Sequence, residues 1–207
     1  MSNNPPSSNA SEIEGTDLMN LYGFIDRQNV HGLNLTVPED ARAIVKPWEE
    51  RDDTTKMAES GVDDQVIIHV PFSKNVRVKS VLLKLGRGEV TPRHLRIYAN
   101  HTNIVDFSDA EELIPNLNIS LLEGEVGVME YPLRAAAFVN VHSLSLFFSD
   151  SVGGDSIRLY YLGFRGDSKS IKREADSKLD IPAANAADAR VIDRLREQAA
   201  GAQTTAR

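Results

Sequence analysis

Leu144, Leu146 and Phe148 alternate with Ser145 and Phe147; the turn SDSVGGD follows; Ile157, Leu159 and Tyr161 then alternate with Arg158 and Tyr160. Alternation at period two puts one set of side chains on each face of an extended chain. The stretch Phe138–Gly166 therefore reads as two β-strands joined by a glycine turn. The same pattern recurs upstream. In VIIHVPF, Val66, Ile68, Val70 and Phe72 share one face and His69 points away. In VRVKSVLLKL (76–85), Val76 and Val78 point inward, and Arg77 and Lys79 outward; the second half is apolar on both faces, as a central strand requires. Leu95, Ile97 and Ala99 alternate with Arg96 and Tyr98, and shorter strands are expected around Leu117–Leu121 and Met129–Leu133. Roughly seven strands with little helix between them favour an antiparallel sandwich or barrel over a parallel α/β sheet.

The flanks differ in composition. Residues 1–15 are rich in Ser, Asn and Pro and cannot bury enough apolar surface to order themselves; a disordered leader is expected. Leu18, Leu21, Tyr22 and Ile25 carry the spacing of one or two helical turns packed on the core, and Gly32 suggests a turn. A short apolar patch runs from Ala43 to Trp48, and 49–64 reads as a polar loop. GRGEVTP (86–92) is turn material, and FSDAEEL (107–113) a short helical turn. These features set one domain at 16–168. Beyond it lies a polar tail, 169–207, with a helix at 186–200 whose narrow apolar stripe includes Val191 and Leu195.

Charge and composition narrow the function. The chain carries no cysteine, which excludes disulfides, thiolate metal sites and dithiol redox chemistry. Its net charge of −7 argues against a nucleic-acid binder, which needs a basic footprint to displace counterions. The N-terminus has neither the basic nor the apolar region of a secretory signal, and no apolar run approaches the roughly 18 residues that cross a bilayer. A cytoplasmic monomer, shared with the nucleus, is the expectation. Charge is unevenly distributed: 49–64 holds seven acids and two bases, whereas 74–96 holds seven bases and one acid.

No motif carries chemistry. The five histidines include no His-x-His pair of the kind that places two metal ligands on one strand face. Asp63-Asp64 and Glu111-Glu112 are adjacent in loops, whereas acid–base catalysis needs carboxylates facing across a cleft. Residues 150–155 lack both the helix of a phosphate loop and the alternating oxygens of a Ca²⁺ loop, so they read as a hairpin turn. Ser143 and Ser145 have no Gly-x-Ser-x-Gly setting. No catalytic residue, cofactor or metal is expected. The candidate interaction residues are Trp48, the sole tryptophan, with Arg77, Lys79, Arg93 and Arg96 of the basic stretch and Val191 and Leu195 of the tail. Trp48 is read either as a plug at the end of the sandwich or as an exposed anchor.

LYGFID (21–26), VHGLN (30–34), VDDQVIIHVPF (62–72), PRHLRIYAN (92–100) and the whole block 138–166 occur together and in one order. In that respect the chain resembles the PITH domain, the module at the C-terminus of thioredoxin-like protein 1 and of single-domain relatives. The resemblance covers about Asp17 to Gly166. It implies a jelly-roll-like antiparallel β-sandwich and a non-enzymatic protein-interaction role, with the 26S proteasome regulatory particle as the implied partner. It supplies no catalytic residues. The redox activity of two-domain relatives is not expected from a chain without cysteine. The alternative is a small-ligand or carbohydrate-binding jelly roll, with loops 86–92 and 150–155 at its binding end.

Overall fold

One long strand organises the fold. The computed structural model describes residues 19–168, and within them lie β1 (Met19–Asn20), β2 (His31–Leu33), α1 (Asp40–Ala43), β3 (Ala58–Glu59) and β4 (Val66–Leu85). These are followed by β5 (Pro92–Ala99), α2 (Phe107–Glu112), β6 (Leu117–Ser120), β7 (Met129–Pro132), β8 (Val141–Ser151) and β9 (Arg158–Asp167). The two strands expected at 66–72 and 76–85 are a single bent strand, β4. Its first half pairs with β2 and β8, its second half with β7 and β9, and all four pairings are antiparallel. The register breaks between Pro71 and Val76, and the exposed Ser73–Asn75 marks the corner. Proline supplies no ladder N–H, and a strand that changes sheet needs such a break.

The two halves of β4 build two leaves. One contains β2, β4, β8, β5 and β6; the other contains β7, β4 and β9, with β1 and β3 along the far side of β9. Val66, Ile68, Val70, Leu95, Ile97, Leu144, Leu146 and Phe148 of the first leaf meet Val81, Leu83, Leu162 and Phe164 of the second in one core. This is the all-β antiparallel sandwich that the alternation predicts. A second, smaller cluster lies on the outside of the first leaf. There Ile67, Tyr98 and Phe147 are roofed by Val105, Phe107, Ala110 and Leu113 of the α2 segment. The helical turn expected at 107–113 is thus present, capped by a reciprocal Asp106–Asp109 box. It explains why Tyr98 and Phe147, on the faces opposite the main core, are buried.

Three local expectations change. In place of the helix expected around Leu18–Ile25, the described residues from Met19 on form a two-residue strand and one 3-10 turn, Tyr22–Phe24, although Leu21 and Ile25 are buried as expected. Gly32 lies within β2 rather than in a turn. Its missing side chain leaves room for Leu35, whose Cδ1 would lie 2.2 Å from a Cβ at that position. Tyr161 does not continue the inward face of Leu159. The register slips between Lys84 and Leu85, so Leu159 and Leu162 face the core while Tyr161 turns outward. Of the turn glycines, Gly154 uses a left-handed φ of +81°, whereas Gly153 packs against Glu89, where a Cβ would come within 2.7 Å. The leader 1–15 and the tail helix 186–200, with Val191 and Leu195, lie outside the described residues.

The outer face of the first leaf also holds a row of polar side chains at one register: His31, His69, Ser145 and Tyr98. His69 Nδ1 shares a hydrogen bond of 3.0 Å with Ser145 Oγ. Burial first, then the neighbouring His31 and His142, holds its pKa below the ordinary 6.5. The unfolded chain therefore binds a proton that the native chain resists. Stability is expected to fall as pH drops through about 6.5, the loss ending below the folded pKa. His69→Gln should flatten that limb in urea melts taken between about pH 7 and 5; an unchanged limb would assign it to other groups.

Candidate functional site

The segment after α1 is fixed at one end by the core. Ile44 and Val45 are buried, and the Leu162 amide donates to the Ile44 carbonyl at 3.0 Å. Pro47 then stops the apolar run, and Trp48–Glu50 form a 3-10 turn over the outer face of the second leaf. The Trp48 indole meets the Tyr161 ring edge-on, with centroids 6.2 Å apart. Two guanidinium groups stand within cation–π range of it, Arg51 at 4.3 Å and Arg165 at 5.4 Å. Arg165 is held by Glu130 at 3.2 Å, and Glu130 also accepts from Ser80 Oγ at 2.5 Å. Trp48 therefore does not plug the end of the sandwich. It is half-buried on a sheet face, oriented by Tyr161 and flanked by two arginines.

The acidic loop and the basic strand meet instead of separating. Asp52 pairs with Lys84 at 3.0 Å, and that hydrogen bond is the main reason its carboxyl lies below the ordinary range. Lys46 is 3% exposed, and its ammonium donates to the Asp53 carbonyl. Burial pushes its pKa down against the opposing pull of Asp53. Asp63 and Asp64 are clamps: Asp63 accepts from Asn34 Nδ2 at 2.6 Å, and Asp64 from the Ser151 amide at 2.8 Å.

The four basic candidates do not form one patch. Arg77 and Lys79 share Asp167 at 4.0 and 3.4 Å on the second leaf. Arg93 pairs with Glu123 at 2.9 Å on the first leaf. Arg96 donates to the Ala110 carbonyl at 3.0 Å and lies 5.0 Å from the Phe147 ring centroid, so it ties down the α2 roof. Sequence reasoning picked Trp48 but missed Arg51 and Arg165. Arg165 stands only four residues from Tyr161, but the slip that puts both on the outer face has no signature in the sequence pattern. Among the described residues no three His, Asp or Glu side chains are grouped to hold a metal ion. Nor is any helix there long and apolar enough to cross a membrane.

The Tyr161 hydroxyl is buried without a hydrogen-bond partner, and burial raises its pKa. Asn20 pulls that pKa the other way, but its Oδ1 accepts from the Tyr22 amide at 2.8 Å. An unsatisfied buried hydroxyl costs roughly 1–3 kcal/mol. Tyr161→Phe is therefore expected to leave stability unchanged or raise it by about 1 kcal/mol in a urea melt; a loss of that size would mean that the hydroxyl is bonded.

A family model described as PITH domain matches residues 11–183. PITH domain-containing protein 1 of Mus musculus is 33% identical over 172 residues, which cover 83% of this chain and 81% of that protein; the Homo sapiens protein gives the same figures. PITH domain-containing protein CG6153 of Drosophila melanogaster is 32% identical over 147 residues, 71% of this chain and 69% of its own. Among solved structures, a CBM32 module from a family 31 glycoside hydrolase of Clostridium perfringens aligns with 70% of this chain and 96% of its own, at 14% identity and a TM-score of 0.48. The module of NanJ from the same organism, solved with galactose, aligns at 10% identity, covering 72% and 98%, with a TM-score of 0.46. With most of its length matched by the family model and by relatives a third identical to it, the chain belongs to the PITH domain family.

Proposed function

We propose that this chain is a non-enzymatic protein-interaction module, acting as a monomer in the cytoplasm and nucleus, whose partner-binding surface is the outer face of the second leaf around Trp48. The observation that supports this most is Trp48 itself: an aromatic side chain with part of its surface in solvent, oriented by Tyr161 and flanked by Arg51 and Arg165. Trp and Arg dominate interface hot spots because a pre-positioned aromatic side chain sacrifices little entropy on binding. The 26S proteasome regulatory particle is the candidate partner, from the PITH resemblance.

The ligand-binding alternative finds less support. Loops 86–92 and 150–155 bond to each other, Gly153 N to Glu89 O at 2.7 Å and Val152 N to Thr91 O at 3.0 Å. Between them they carry no aromatic side chain on which a sugar ring could stack. Affinity purification of the full chain at physiological salt tests the interaction reading. Recovery of regulatory-particle subunits is expected; recovery of no reproducible partner would count against it.

A further inference from the structure

Beside Trp48 lies a second feature, an open cleft of about 480 Å³. Four cations line it, Arg27, Arg42, Lys46 and Lys56, against two carboxylates, Glu39 and Glu50. Lys56 and Glu50 neutralise each other at 3.1 Å. Among the described residues Arg27, Arg42 and Lys46 form no ion pair: Arg42 Nε donates to the Val30 carbonyl at 3.3 Å, and Arg27 lies over the Tyr22 ring. The excess positive charge belongs to a chain whose net charge is −7.

Lys46 is the unusual member. A buried ammonium ordinarily has a carboxylate partner, because desolvation is otherwise uncompensated. Here the residue is 3% exposed, Asp53 and Glu50 attract its charge without an ion pair, and among the described residues its one hydrogen bond goes to a backbone carbonyl, that of Asp53. An ammonium carries three donors, so this arrangement leaves capacity for an anion arriving from the cleft. Arg42 comes from α1 and Arg27 from the turn before β2, so the charges converge from separate elements.

We infer that this cleft takes the carboxylates of an acidic peptide segment of the partner, with Lys46 as the charge that they neutralise. The inference rests on the interaction reading above and names the chemistry of what binds there. A peptide fits better than a small anion on three grounds. The cleft is open rather than enclosing. Its wall includes Tyr22 and Pro47, apolar surface that a free phosphate would not cover. It also runs directly into the Trp48 turn through Pro47 and Glu50, so one extended segment reaches both.

Trp48, the only tryptophan, supplies the readout, since it lies two residues from Lys46 and next to Pro47 of the cleft wall. The full chain is titrated with hexaglutamate, with hexalysine and inorganic phosphate as controls, at low and physiological salt. A saturable change is expected with hexaglutamate alone, weakening as salt rises. Lys46→Met should weaken binding at least about tenfold, since it removes a buried charge with its partner in place. Its melting temperature should be unchanged or higher, because a uniformly structural lysine would be missed on folding and an unpaired buried charge would not. Arg42→Gln, at an exposed helix position, guards against a poorly folded Lys46 variant and should weaken binding about threefold. No saturable change with hexaglutamate, equal affinity in the wild type and both variants, or saturation by phosphate alone would each overturn the inference. If hexaglutamate fails while capture of a protein partner still depends on Trp48, the acidic-segment inference falls and the interaction reading stands.

Discussion

Phe164→Ala is expected to destabilise the domain by about 3–5 kcal/mol, the range for emptying a large aromatic site in a packed core. Phe164 is fully buried on β9 and meets Phe72 of β4 edge-on, with centroids 5.6 Å apart and planes at 70°. The pair joins the two leaves, since Phe72 lies in the first half of β4 and Phe164 pairs with Val81 in the second. Losing it removes transfer energy, leaves a cavity and deletes an aromatic contact. Domains of this size hold about 5–15 kcal/mol in total, so the variant should melt on the order of 10 °C lower. Phe164→Leu should lose less, because it retains most of the volume. Chemical denaturation of the three chains measures this directly. A loss under about 1 kcal/mol for the alanine variant would mean that the leaves do not meet at this point.

Trp48→Ala is expected to weaken partner binding by at least 2 kcal/mol, about 30-fold, the threshold of an interface hot spot. Its cost in stability should be about 1–2 kcal/mol, from the Tyr161 contact and the two cation–π contacts. The ratio of the two effects carries the argument. A buried structural tryptophan would show the reverse, a large fall in melting temperature with binding lost only through unfolding. Trp48→Phe should recover part of both. Surface plasmon resonance against a purified partner, paired with a melt of the same protein, separates the cases. Arg51→Gln should act with Trp48 and not add to it, because the guanidinium stacks on the ring and also donates to the Trp48 carbonyl at 2.9 Å.

Much of the scaffold was legible because strand periodicity depends on nearest neighbours. Val66, Ile68 and Val70, Leu95 and Ile97, and Leu144, Leu146 and Phe148 all face the core that their spacing assigns them. What failed depends on contacts distant in sequence. Tyr161 broke the alternation because one slipped register against Lys84 turned the strand over. Arg96 read as a surface base and is bonded to Ala110, fourteen residues on. Gly32 read as a turn because nothing local shows that β4 offers an edge to pair with. The site was less legible still. Trp48 stood out by rarity, but its setting draws on α1, the 49–56 loop and β9. Likewise the acidic and basic stretches are separate runs in the sequence, and the fold brings Asp52 onto Lys84.

Hydrogen exchange on the full chain, alone and with the purified proteasome regulatory particle in excess, tests the central proposal most directly. It asks whether the Trp48 face of the second leaf is where a partner sits. Binding there predicts slowed amide exchange in 46–56 and along the outer residues of β9, with loops 86–92 and 150–155 unchanged. Protection confined to those loops, or no protection anywhere, would contradict it.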